Sequence, residues 1–275
     1  MKFSARMIAG FALLLVLGST VGCNKLRARD QLVKGIQAFK AGQYEQAIDH
    51  FQNSVALDPN DPTTRLYLAT AYSYQVVPNL DTPDNLKIAQ KAMAGFNDVL
   101  AKNPNDVDAL KQIASIQRNI KQYDQAKATY EKILTINPKD AEAHYTIAWI
   151  DWNLAYKNAV QILGEQNLQD DGNGNVKMNK ATCAKMKAAN TDLVNEAMAQ
   201  LQQAVDSRSN YDDAMQYLNL TYRRKADLDC PNDAARKADL AQADEWVQKA
   251  MGARKANEAE KEKKEGGGIT MQNNQ

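Results

Sequence analysis

Residues 28–61 read ARDQLVKGIQAFKAGQYEQAIDHFQNSVALDPND. Leu32, Ile36 and Phe39 recur at helical spacing, and so do Ala47, Ile48, Phe51 and Val55. The stretch is therefore predicted to form two short amphipathic helices. Gly35 lies midway along the first helix, Gly42 ends it, and Tyr44 opens the second. Pro59 closes the unit, because proline cannot continue a helix and restrains the residue before it. The same order of events returns over residues 62–106 and 107–140. Repetition at this period signals stacked supersecondary units, each unable to bury its apolar face alone.

The spacing Gly35, Gly42, Tyr44, Ala47, Phe51, Pro59 resembles the tetratricopeptide repeat. Residues 107–140 fit the same pattern without a gap, through Ala109, Leu110, Ala114, Tyr123, Ala126, Tyr130 and Pro138. The resemblance implies an all-α fold, a right-handed α-solenoid of about five helix pairs with insertions. The repeats are expected at 28–61, 62–106, 107–140, 141–211 and 212–253, inside a repeat domain over 23–256.

Composition agrees. Ala, Lys, Gln, Asp and Leu are abundant and β-branched runs are scarce, which favours helices. Thirty-four basic residues against 33 acidic ones give bulk electrostatics no reason to seek nucleic acid.

Residues 1–22 read as a signal peptide: Lys2 and Arg6, then an apolar run over 8–17, then a small-residue zone. The string Thr20-Val21-Gly22-Cys23 resembles a bacterial lipobox, with Thr20 in the place of the usual leucine. That resemblance implies cleavage before Cys23 and lipidation of its thiol, anchoring the chain to a membrane and facing the periplasm. Asn24, which is not the aspartate associated with inner-membrane retention, favours the outer membrane. The alternatives are an ordinary secretory signal or an uncleaved anchor, and all three export the repeats. Lipidation leaves Cys183 and Cys230, in the irregular parts of neighbouring repeats. They are expected either to bridge in an oxidising compartment or to remain two buried thiols. Neither has a second ligand at metal spacing, so no metal site is expected.

In the tetratricopeptide family the first helix of each repeat lines the concave face. The resemblance thus makes Lys111, Ser115, Arg118 and Asn119 of the third repeat candidate partner contacts. A clamp for a peptide carboxylate, as in some members, is not expected, because Ser115 replaces the required asparagine. In the fourth repeat Tyr145, Trp149 and Trp152 share one face. They read as anchors for a peptide or helix in the groove, or as packing beneath the insertion that follows. His144, in the slot of a large aromatic, is expected to be packed. The turn-rich residues 77–84 are either a lengthened turn or a lip beside the groove, with Thr82 and Pro83 starting the next helix.

The insertion at 158–195 carries an acidic loop over 169–175 that resembles half of a calcium loop. With Gly174 at the tight turn, Gln169 and Lys180 occupy positions that need carboxylates, so calcium is not expected. Residues 182–203 read as one long helix, 234–256 as the last helix, and 257–275 as a disordered tail.

No nucleophile elbow, phosphate loop, HExxH or dinucleotide fingerprint occurs, and the two histidines fall in different repeats. The chain is therefore expected to be non-enzymatic, without cofactors. It reads as an envelope scaffold, such as an assembly factor, that holds a protein or peptide partner in its concave groove. The alternative is a module for a small ligand or ion, formed by the 158–195 insertion.

Overall fold

The computed structural model describes residues 5–266, with side chains from 23 to 264. The expected signal peptide, residues 1–22, therefore lies outside the described side chains. Among the described residues all regular structure is helical. The elements are α1 (Ala5–Lys40), α2 (Tyr44–Leu57), α3 (Pro62–Gln75), α4 (Pro83–Leu100), α5 (Val107–Asn119), α6 (Tyr123–Ile136), α7 (Ala141–Gly164), α8 (Lys180–Ser207), α9 (Asp212–Leu228) and α10 (Asp233–Gly266). None is long and apolar enough to cross a membrane, among the described residues. The chain forms two compact units, one ending at Thr129 and the other starting at Tyr130, inside α6.

A shared local code starts the helices. Asp61, Asp106 and Asp140 each follow a proline by two residues and cap α3, α5 and α7. Each carboxylate accepts from backbone amides of the first turn: Thr63 and Thr64, Ala109, and Ala143. Thr82 caps α4 by accepting from the Asn85 amide, and Pro83 occupies the first helical position.

In the first unit α1 packs on α2, α2 on α3, α3 on α4 and α4 on α5. The contacts repeat a small residue one turn before a large one: Ala47 and Phe51, Ala92 and Phe96, both pairs at most 2 % exposed. Ala114 and Ala126 are also fully buried. A Cβ on Gly35 would stand 2.4 Å from the Phe51 ring, so this glycine is what lets α1 reach α2. The loop before α4 is fastened by Asn85, which accepts from the Val77 amide and donates to the carbonyls of Val77 and Leu80. The Asn79 amide donates to the carbonyl of Asn119. Residues 77–82 are therefore a tied turn against the end of α5.

The second unit pairs α7 with α8 and α9 with α10, and α9 also contacts both α7 and α8. Its core joins Ala148, Ala197, Leu201, Ala204, Leu218 and Trp246. His144 is buried as expected, its Nε2 donating to the Pro138 carbonyl while Nδ1 faces the Gln200 amide.

Two expectations are corrected. The helix expected over 182–203 is present within α8, but the preceding helix, expected over 141–156, runs on to Gly164, which leaves only 165–179 of the insertion irregular. The apolar face of α7 continues through Ala155, Ala159 and Leu163, all fully buried. The last helix also runs past Ala256 to Gly266, so residues 257–266 are helical rather than a disordered tail, and residues 267–275 lie outside the described ones. Asn257 bonds to Asn210 and Asp212, and Lys264 pairs with Glu260 one turn away.

Gly35→Val should lower the unfolding free energy by about 1–3 kcal/mol, since the ring of Phe51 has no room to withdraw. Urea denaturation followed by far-UV circular dichroism measures it, and an unchanged midpoint would contradict the packing described.

Candidate functional site

The second unit carries an aromatic ridge. On α7, Tyr145, Trp149, Trp152 and Tyr156 follow one another at steps of four, three and four, and so share one face. The first three are half-buried and Tyr156 is 42 % exposed. Their ring contacts include one another, Tyr211 at the cap of α9 and Tyr217 on α9. Tyr145 meets Tyr211 and Tyr217 at 5.2 and 5.6 Å between centroids. Trp152 stacks on Tyr156 at 5.3 Å and stands edge-on to Tyr217 at 5.3 Å. Trp149 donates a hydrogen bond to the Tyr217 hydroxyl, which partly offsets the upward push that burial gives this phenol. Burial raises Tyr211 to about 12, so both phenols stay neutral donors at physiological pH. The Trp152 Nε1 is buried without an acceptor.

The irregular loop between α7 and α8 fastens onto α9 beside this ridge. Arg224, 4 % exposed, donates to Asp170 at 2.7 Å and stands 3.0 Å from Asp227. Its guanidinium also lies 5.7 Å from the Tyr156 centroid, linking the loop to the ridge. Arg223 donates to the Gly172 carbonyl and the Asn173 side chain, and pairs with Asp244. Arg236 donates to the Asn173 carbonyl. Gly174 has φ +70°, and a Cβ there would stand 2.6 Å from the Ala226 carbonyl oxygen. Cys183 and Cys230 are bonded, S–S 2.06 Å, closing α8 onto the turn after α9. A cavity of about 190 Å³ lies there between Gly174, Met178, Cys230 and Arg236.

These contacts decide what the loop can do. Asp170 and Asp171 are taken up by Arg224 and by the amides of Gly172 and Asn173. No cluster of three or more metal-ligating side chains occurs among the described residues. Around Arg224 the carboxylates outnumber the cation. Burial pushes Asp227 up to about 7 against the attraction of Arg224, and the charges of Asp170 and Asp171 add to the rise. Burial and the neighbouring Asp239 push Asp229 up to about 6, although Lys225 opposes it.

The other sequence-derived contacts lie in the first unit. Lys111, Ser115, Arg118 and Asn119 are half-buried on α5, and Lys111 and Arg118 are engaged in interactions there. Cys23 is exposed with a free thiol. Sequence reasoning missed Tyr156, Tyr211, Tyr217 and Arg224. Tyr156 was legible, four residues beyond Trp152. Tyr217 and Arg224 lie on another helix and join the ridge only by packing. In the first unit Phe39, Tyr44 and Tyr74 form a second ring cluster with centroids 5.1 to 5.4 Å apart. A groove of about 620 Å³ runs between the start of α3 and the end of α4, rimmed by the Arg65–Asp98 pair.

Two family models match the chain, one described as TPR repeat over residues 37–75 and one as tetratricopeptide repeat over 89–150. Among curated proteins no sequence matches significantly. Solved structures of MamA share the fold. A double mutant titled MamA RS-1 ArsTM is 18 % identical, with TM-score 0.53 over 85 % of this chain and 97 % of that one. MamA 41-end from Desulfovibrio magneticus RS-1 is 18 % identical, with TM-score 0.52 over 84 % and 96 %. At such identity the likeness establishes architecture alone.

Because the folded state binds the Asp227 proton more tightly than the unfolded chain, this group's contribution is full below pH 3.8 and lost as pH rises to about 7. Asp227→Asn should remove that component. Urea midpoints at pH 4.5 and 7.5 should therefore fall further with rising pH in the parent chain than in the variant.

Proposed function

We propose that this chain, in which residues 37–75 and 89–150 carry tetratricopeptide repeats, is a non-enzymatic interaction scaffold of the bacterial cell envelope. Stacked helix pairs of this type present extended binding surfaces without enclosing a reaction chamber. The observation that carries the reading is the ridge of Tyr145, Trp149, Trp152 and Tyr156, half-exposed and held from behind by α9. Aromatic rings fixed in this way bind with little loss of side-chain freedom. On the first unit, taken by itself, Lys111, Arg118 and Asn119 of α5 are polar partner contacts in this reading. The occupant is a protein or peptide partner, and the role is that of an assembly factor.

The chain is exported, cut before Cys23, and held by lipid on that thiol with the repeats facing the periplasm. The string Thr20-Val21-Gly22-Cys23 supports this, and so does the exposure of Cys23. Asn24 favours the outer membrane. The 158–195 insertion serves as a brace for the ridge rather than as a ligand module, since its acids already accept from Arg224 and from backbone amides.

A photo-crosslinking residue at Val160, one turn beyond Tyr156 and 44 % exposed, in cells making the full chain, should capture a partner. Trp149→Ala with Trp152→Ala should cut capture at least about tenfold, as expected for central aromatic anchors. The milder Tyr156→Ala should reduce it without changing helical circular dichroism. Full capture by both variants would remove the ridge from the binding surface. Radiolabelled palmitate should enter the parent chain and not Cys23→Ser.

A further inference from the structure

Among the described residues, the first helix has one exposed side. α1 packs on α2 and touches α3. Ala28, Gly35 and Ala38 point into that contact and are buried. On a helical wheel Lys40, Val33 and Leu26 fall together on the side away from it, and Lys25 and Arg29 flank Ile36 at the edge of the packed side. All five are exposed, Leu26 at 72 % and Val33 at 47 %. Apolar side chains thus stand among cations along one face. Over residues 23–40 five basic side chains, Lys25, Arg27, Arg29, Lys34 and Lys40, oppose one acid, Asp30. Asp30 is itself paired with Lys34 at 2.8 Å.

The junction with Cys23 is as telling as the charge. Helix α1 passes through Cys23 without a break, and the packed repeat starts five residues later. Ala28 is 5 % exposed, and its carbonyl accepts from the Ser54 hydroxyl at 2.7 Å. Five helical residues span about 7.5 Å, less than a Debye length at physiological ionic strength. No flexible tether separates the acyl site from the folded unit, so a lipid on Cys23 holds Lys25, Arg27 and Arg29 within about 9 Å of the headgroups, and Lys40 reaches them only if the helix lies along the surface.

We infer that the free face of α1 lies against the membrane that holds Cys23, with Lys25, Arg29 and Lys40 on anionic phospholipid headgroups and Leu26 and Val33 at the interface. The inference rests on the reading of Cys23 as the lipid anchor. The face has the composition of an interfacial helix, apolar residues bordered by cations, and its attraction is to net negative lipid. The repeat domain is then laid on the bilayer along its first helix instead of standing off from it.

Mass spectrometry of the N-terminal peptide first establishes whether Cys23 is acylated. With Cys23 acylated and Cys183 bonded to Cys230, Gln37→Cys supplies the one reactive thiol and takes a fluorophore. An upright α1 would hold this position about 21 Å from the headgroups. The labelled chain is placed in phosphatidylcholine vesicles, with or without about one-third phosphatidylglycerol, containing headgroup-spin-labelled lipid. Quenching should be at least threefold stronger on the anionic vesicles. It should fall to the neutral level in high salt and in the variant Lys25→Gln, Arg29→Gln, Lys40→Gln. Equal quenching on both vesicles, or undiminished quenching in the variant, overturns the inference. If Cys23 is unmodified, the anchor reading fails by itself, and the face is tested on that chain by co-sedimentation with the same vesicles. There the three substitutions should lower anionic-vesicle partitioning by roughly 100-fold, and an unchanged partition overturns the inference.

Discussion

Close approach of helix backbones is the constraint on which the rest of this protein depends. A helix pair buries its apolar stripe only if a small residue on one helix makes room for a large one on its neighbour. Ala47, Ala92, Ala126 and Ala197 are fully buried, each one turn before Phe51, Phe96, Tyr130 or Leu201. Gly35 carries the same logic further, since even a methyl group there would enter the Phe51 ring. Because each pair touches mainly its neighbours, stability is local and additive along the chain, and an error at one junction is not compensated elsewhere.

In the second unit a polar constraint is added to the packing. Arg224 is a buried cation, which is tolerated only with its charge paired. Asp170 of the loop accepts from Nη2, and Asp227 of its own helix stands 3.0 Å from Nη1 as a charge partner without a hydrogen bond. That arrangement leaves more carboxylate than cation in a dry place, and Asp227 meets the excess by holding its proton to about pH 7. The same arginine lies over Tyr156, so the loop, α9 and the aromatic ridge form one supported body. The Cys183–Cys230 bond closes the other side of the loop. A surface held in this way has little freedom left to lose when a partner binds, which is the physical basis for reading it as a binding face.

The electrostatics of the chain are local as well. Its charges nearly cancel overall, yet α1 from Cys23 to Lys40 is basic on its uncovered side. A whole-chain balance says nothing about such a face, because the cations act through a field that decays within a Debye length. What matters is how near the anchor they are held, and the unbroken helix sets that distance.

The sequence by itself determined the helix pairs, their caps and their small and large packing positions, because these depend on residues a few places apart. Asp61, Asp106 and Asp140 act on amides two or three residues ahead, and Ala47 and Phe51 are one turn apart. It also brought Tyr145, Trp149 and Trp152 to one face. Only the tertiary structure decided what lies behind that face. Tyr217 is 65 positions from Trp152, Arg224 is 54 from Asp170, and Cys183 is 47 from Cys230. No periodicity within one helix encodes such distances. Asp170, in the loop that resembled half a calcium site, became an arginine acceptor for the same reason, since the cation that claims it arrives on α9, while Asp171 accepts from the Asn173 amide. Helix extent past Tyr156 and Ala256 was likewise undecided by local pattern: packing of Ala159 and Leu163 with Met186 of α8 continues the first, and side-chain ties at Asn257 continue the second.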